Sequence, residues 1–166
     1  DRIAGFFSST SLAIASKGIA GLIKNKGHMR LLVSPVLSEA DAEIINNSIT
    51  DREALLEKCL LQGINVDNIE DELVKNHVNA LGWMLCHGFL EIKIAVMANY
   101  SDALFHEKIA VMYDKNNDVV AFSGSINETG TAWIKNQEQF HVFKSWVQGQ
   151  DEYVNDDVTA FEEHWN

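Results

Sequence analysis

The chain has one proline, two cysteines and no long uninterrupted apolar run. A membrane-spanning helix needs about 20 consecutive apolar residues, so no membrane partner is expected. The first residues also lack the charged, apolar, small-residue order of a secretory signal. Cys59 and Cys86 sit among apolar neighbours and are not spaced as a metal knuckle or a redox pair. Reduced core thiols are therefore expected, and with them a soluble, cytoplasmic chain. With one proline, no internal repeat and no low-complexity stretch, no internal linker is indicated. A length of 166 residues, 46% of them hydrophobic, suits one domain over 1–166. The opening at Asp1, directly on a strand-like run, predicts a piece of a longer protein.

Basic residues are scarce too: 13 Lys and Arg stand against 24 Asp and Glu, for a formal charge of -11. That argues against a general nucleic-acid coat, which needs clustered Lys and Arg. The charge is uneven, however. Up to Ser38 the bases Arg2, Lys17, Lys24, Lys26 and Arg30 face Asp1 alone, whereas beyond Lys144 there are only acids: Asp151, Glu152, Asp156, Asp157, Glu162 and Glu163. Lys17, Lys24, Lys26 and Arg30 fit either a guide for a phosphate backbone or a solvated helix face and strand end.

Arg2 to Ser8 reads as a strand, followed by an apolar helix capped within Ser8 to Ser11 and stopping at Gly27. Arg30 to Ser34 reads as a second strand. Ser38 with Asp41, and Thr50 with Glu53, resemble capping boxes for two short helices, the second ending at Gly63. Ile69, Leu73, Val74, Val78, Leu81, Met84 and Leu85 keep helical period from Asn68 to Gly88. Strands are then expected over Glu91 to Met97, Lys108 to Tyr113, Val119 to Ser123 and Gln139 to Lys144, with a hairpin turn at Asp114 to Asp118. A last helix over Asp151 to Asn166 would dock through Tyr153, Val158, Phe161 and Trp165. The fold class expected is α/β, a mixed sheet sandwiched between helices.

On a strand, side chains two apart share a face, so His106 and Lys108 project together at the start of one strand. Gly124-Ser125-Ile126-Asn127 ends the next, where the glycine permits a turn and Ser125 and Asn127 present a hydroxyl and an amide. The hairpin brings both pairs to one end. An imidazole with a cation, a hydroxyl and an amide suits attack on a phosphodiester: His106 displaces an alkoxide while Lys108, Ser125 and Asn127 hold the non-bridging oxygens. No metal or other cofactor is called for. A carboxylate on the second ring nitrogen would set the tautomer, and Glu138 is the candidate.

This order of elements, H-x-K, a downstream Asp114, G-S-x-N and a later Glu138, resembles the phospholipase D superfamily. Asn127 to Glu138 matches the separation found in bacterial nucleases of that family. Phe105 to Trp133 with the opening RIAGFFSS resembles the phospholipase D-like domain that precedes helicase domains in restriction-type proteins. Asp114 departs from the family pattern, lying one residue later than in the common form, with a longer gap to Gly124. The resemblance implies a phospholipase D-like fold and a metal-independent endonuclease that forms a phosphohistidine on DNA. It also implies two H-x-K elements per site. This chain has one, and none of His28, His77, His87, His141 or His164 is followed two residues later by Lys. A homodimer would supply the second. The implied partners are DNA, a second copy and a helicase or translocase domain in the parent chain. The alternatives are a non-catalytic dimerisation and DNA-positioning module, or a phospholipase, for which no basic amphipathic segment speaks.

Blander readings cover other residues. His141 is expected to be a buried structural histidine, and Cys86-His87 lacks further ligands for a metal. Trp133, Trp146 and Trp165 suit a core or a dimer seam better than base stacking, and Ser8, Ser9 and Ser11 suit helix capping.

Overall fold

The computed structural model describes residues 1–96, 105–125, 127, 129, 134–135 and 137–166. Met97, Ile126 and Trp133 lie outside the described residues. The elements run β1 (Arg2–Ala4), α1 (Thr10–Ile14), α2 (Ser16–Lys24), β2 (Met29–Val33), α3 (Glu39–Thr50), α4 (Arg52–Leu61), α5 (Ile69–Lys75), α6 (His77–Cys86), β3 (Leu90–Ile94), β4 (Ile109–Tyr113), β5 (Val119–Gly124), β6 (Phe140–Lys144) and α7 (Asp151–Trp165). The six strands form one sheet in the order β3-β2-β1-β4-β5-β6. Strands β1, β2 and β3 are parallel, while β1 with β4, β4 with β5 and β5 with β6 pair antiparallel. The expected mixed sheet is present, as is the Asp114 to Asp118 turn, where Asn117 takes the left-handed conformation (φ 64°).

Alternation along the strands builds two cores. Ala4, Leu31, Val33 and Leu90 face the helices α1 to α6 and pack with Leu12, Ile23, Leu73, Leu81 and Met84. Ile3, Leu32, Ile109, Val111 and Ala121 face the other way and pack under Val154, Phe161 and Trp165 of α7. Helices therefore cover both faces of the sheet. No helix among the described residues is long and apolar enough to cross a membrane.

Several element ends differ from the sequence reading. The first strand closes at Ala4, and the helix after it breaks at Ala15 into α1 and α2. The left-handed residue that ends α2 is Lys26 (φ 58°), not Gly27. Gly27 is needed one step later, where its N–H reaches Leu22 O (2.8 Å) and a Cβ would lie 2.5 Å from Leu22 Cδ1. Thr50 ends α3, and Asp51 caps α4 by accepting the Ala54 N–H. The long apolar period from Asn68 conceals a break at Asn76 (φ -138°, ψ 52°). Apolar spacing carries no trace of it, because the residues on both sides still face one core. Asn76, a weak helix former, instead donates its side-chain amide to Glu72 Oε2 (2.9 Å).

Helix α7 is fastened as well as packed. Arg30 reaches Asp1 Oδ2 and Glu162 Oε1, each at 2.6 Å, with its guanidinium 4.7 Å from the Phe161 ring centroid. Lys93 donates to Trp165 O (2.8 Å). Arg30 is thus committed to holding α7, while Lys17, Lys24 and Lys26 are exposed on or just after α2. Tyr153 proves 54% exposed and docks only sideways, stacked on Phe143 at 4.8 Å. Replacing the fully buried Phe161 by Ala should cost about 3–5 kcal/mol of stability and lower the urea midpoint by the matching amount, as followed by circular dichroism.

Candidate functional site

The β4–β5 register, with Ile109 opposite Ser123, sets Lys108 opposite Gly124, and the Gly124 N–H donates to Lys108 O (3.2 Å). The segment His106 to Lys108 therefore leaves the sheet beside Gly124 and Ser125. On the other side of β5 the Ser125 N–H donates to Gln139 O (2.9 Å), which brings Glu138 alongside. Gly124 is not in the left-handed region. A Cβ there would lie 2.3 Å from Gln139 O and 2.6 Å from Phe140 Cα. The glycine serves close approach of β5 to β6, and not the turn that the sequence suggested.

Around this junction the side chains are ordered by one another. Lys108 is buried at 5% exposure, and its ammonium donates to His106 O. Burial lowers its pKa below the usual lysine range, the nearby Glu138 carboxylate works against that, and Arg2 adds to it. The Ser125 hydroxyl donates to Glu138 Oε2 and also receives the Gln139 N–H (3.0 Å). Asn127 Oδ1 accepts the Phe6 N–H (3.0 Å), which fixes the carbonyl end of this amide against the end of β1. The exposed His106 ring stands edge-on to Phe6 at 6.0 Å.

Two participants, Gly5 and Phe6, were not singled out as site residues. A Cβ on Gly5 would sit 3.1 Å from His106 Cδ2 and 3.2 Å from Asn127 Oδ1, so the first strand ends against both groups. The only sequence signal was a glycine between strand and helix. Ser8, Ser9 and Ser11 are taken up locally: Ser11 Oγ donates to Ser8 O (2.8 Å), and the Ser9 N–H donates to the buried Asp41 carboxylate (3.2 Å).

Asp114 stands apart from this group. It lies past the far end of β4, about 20 Å from Lys108 by the rise of a strand. Its carboxylate accepts the Asn116 N–H (2.7 Å) and the Asp118 N–H (3.0 Å), which makes it the organiser of the hairpin turn. His141 is exposed rather than buried, because β6 is an edge strand, and it stacks loosely on Phe143 at 6.4 Å. Trp165, the last residue of α7, is buried against the sheet and Trp146 is 55% exposed. His87 stacks on Trp83 at 4.4 Å, and buried Cys86 lies with Sγ 3.9 Å from Arg52 O.

No family model and no curated protein matches the chain.

The site thus rests on internal geometry: an exposed imidazole, a buried ammonium with a depressed pKa, an amide fixed by the Phe6 N–H and a hydroxyl bonded to a carboxylate. Such a set can bind and polarise an anionic group beside a nucleophile. Gly124→Ala should destabilise the chain by about 1–3 kcal/mol, since β5 and β6 must part to admit the methyl group. Chemical denaturation checks this, and an unchanged midpoint would remove close approach as the reason for the glycine.

Proposed function

We propose that this chain is a phospholipase D-like phosphodiesterase domain that cleaves DNA through a phosphohistidine on His106. The observation that carries the reading is the convergence of His106 and Lys108 with Ser125, Asn127 and Glu138 at one end of the β4–β5–β6 sheet, in the order the family motif requires. One imidazole nitrogen of His106 bonds to phosphorus as the P–O bond to the leaving alkoxide breaks. Lys108 and the Asn127 amide hold the non-bridging oxygens, with Ser125 able to join if its proton turns from Glu138. Glu138 is a positioning residue in this scheme. Its carboxylate keeps Ser125 and Lys108 in place, and it orients the imidazole in the role the sequence motif assigns it.

One imidazole cannot be nucleophile and proton donor in the same step. His106 of a second copy, in a homodimer, protonates the leaving oxygen. It then takes a proton from the water that attacks phosphorus and releases the first His106. In this reading the domain is cytoplasmic and belongs to a longer chain with a helicase or translocase domain in a restriction-type protein, and the charge developed on phosphate is met without a metal ion. A dimerisation and DNA-positioning module without turnover is the alternative.

Nicking of supercoiled plasmid in excess EDTA, with light scattering for oligomeric state, decides between the two. Wild type should cut and His106→Ala should lose at least a thousandfold in rate, on the scale of removing a nucleophile. A dimer that does not cut supports the positioning module. Lys108→Ala and Asn127→Ala should lower kcat/KM without an equal loss of thermal stability. Glu138→Gln should slow turnover through its neighbours, so an unchanged rate would remove it from the scheme.

A further inference from the structure

The peptide unit that joins Gly5 to Phe6 is bonded at both ends. Its N–H donates to Asn127 Oδ1 (3.0 Å), and its carbonyl accepts the hydroxyl of Ser34, which directly follows β2. A peptide unit is planar and trans, so its C=O and N–H point in opposite directions and turn together. The Ser34 hydroxyl, on one side of this unit, therefore decides where the N–H points on the other. It also polarises the unit, since hydrogen bonds in series strengthen one another.

The rest of the turn between β1 and α1 is anchored from the same neighbouring stretch of chain. Asp41, in the first turn of α3, accepts the Ser9 N–H on Oδ2 (3.2 Å), and its own N–H donates to Ser38 Oγ (3.1 Å). Ser34 and Asp41 are 0% and 1% exposed, so water does not compete for these bonds. Asp41 Oδ1 is buried without a partner among the described residues, which costs stability, and the bond that its other oxygen makes is to the far end of this turn. On the site side there is no slack, because a Cβ on Gly5 would meet His106 and Asn127 together.

Resting on the phosphodiesterase reading, we propose that Ser34 is a positioning residue for Asn127. Its hydroxyl aims, through the Gly5–Phe6 peptide, the N–H that holds the Asn127 side chain, and Asp41 pins the other end of the same turn. Neither residue touches substrate in this scheme. Asn127 meets a non-bridging oxygen whose charge changes as phosphorus is attacked, so an amide that is held in the wrong place slows the chemical step more than it weakens binding. A displacement of about 1 Å at such a group costs up to about a hundredfold in rate. Two buried polar side chains on β2 and α3, elements outside the candidate site, thereby act on its geometry through one peptide unit.

A double-mutant cycle separates positioning from a general contribution to the fold. It compares kcat and KM on bis(p-nitrophenyl) phosphate for wild type, Ser34→Ala, Asn127→Ala and the double variant, with His106→Ala as the inactive control. Ser34→Ala should lower kcat by about tenfold and leave KM within about twofold of wild type. In the Asn127→Ala background the same change should cost almost nothing further. Hydrogen exchange, followed by NMR, gives a readout that does not depend on turnover. Ser34→Ala should speed exchange of the Phe6 amide by at least about tenfold while the core Leu81 amide of α6 keeps its rate. Asp41→Ala should likewise release the Ser9 amide, and Asp41→Asn, which keeps an acceptor, should restore its protection. Effects of Ser34→Ala and Asn127→Ala that multiply, or a Phe6 amide that exchanges no faster or only in step with Leu81, overturn the proposal. Wild type as inert as His106→Ala overturns the phosphodiesterase reading, and the exchange series then decides by itself whether Ser34 fixes the contact with Asn127.

Discussion

The hydrogen bonds from Gly124 to Lys108 and from Ser125 to Gln139 set the positions of three separate stretches of chain. Shifting β4 against β5 by one residue would turn Lys108 away from its neighbours, since side chains alternate between faces. Separating β5 from β6 would detach Glu138 from the Ser125 hydroxyl. Gly124 is the point where the two conditions meet, because only a residue without a Cβ lets Gln139 and Phe140 come so close. The site is thus a product of antiparallel register, completed by the Phe6 N–H that holds Asn127 from the end of β1.

The second determinant is α7. It closes the core over Ile3, Leu32 and Val111, and Arg30 joins its last turn to the opening strands through Asp1 and Glu162. The same fixed helix lines a cleft at the end of β4 and β5 with Asp156 and Asp157. A change that loosens Phe161 or Trp165 would move carboxylates as well as core side chains.

Much of the architecture was legible from local signals. The β-branched runs of β4 and β5, the Asp114 to Asp118 turn and the strand expected over Arg30 to Ser34 each depend on neighbours in sequence, and each appears close to its expected position. The failures share a physical cause. The break at Asn76 leaves the apolar spacing undisturbed, and the exposure of His141 follows from β6 being at the edge of the sheet, which depends on strand order. Gly27 was recognised as a helix stop but for the wrong step, since Lys26 takes the left-handed conformation and Gly27 instead packs closely on Leu22.

Within the site, sequence alone determined which groups are present and suggested pairing His106 with Lys108 and Ser125 with Asn127 by period-two spacing, although β4 begins only at Ile109 and β5 ends at Gly124. It could not show that Ser125 is bonded to Glu138, or that Gly5 and Phe6 abut the imidazole and the amide. Nor did it show that carboxylates from the last helix share the cleft with His106, although those acids were conspicuous in the composition. These are contacts between residues far apart in the chain. Their geometry is set by strand order and by which face each helix covers, and no local pattern encodes it.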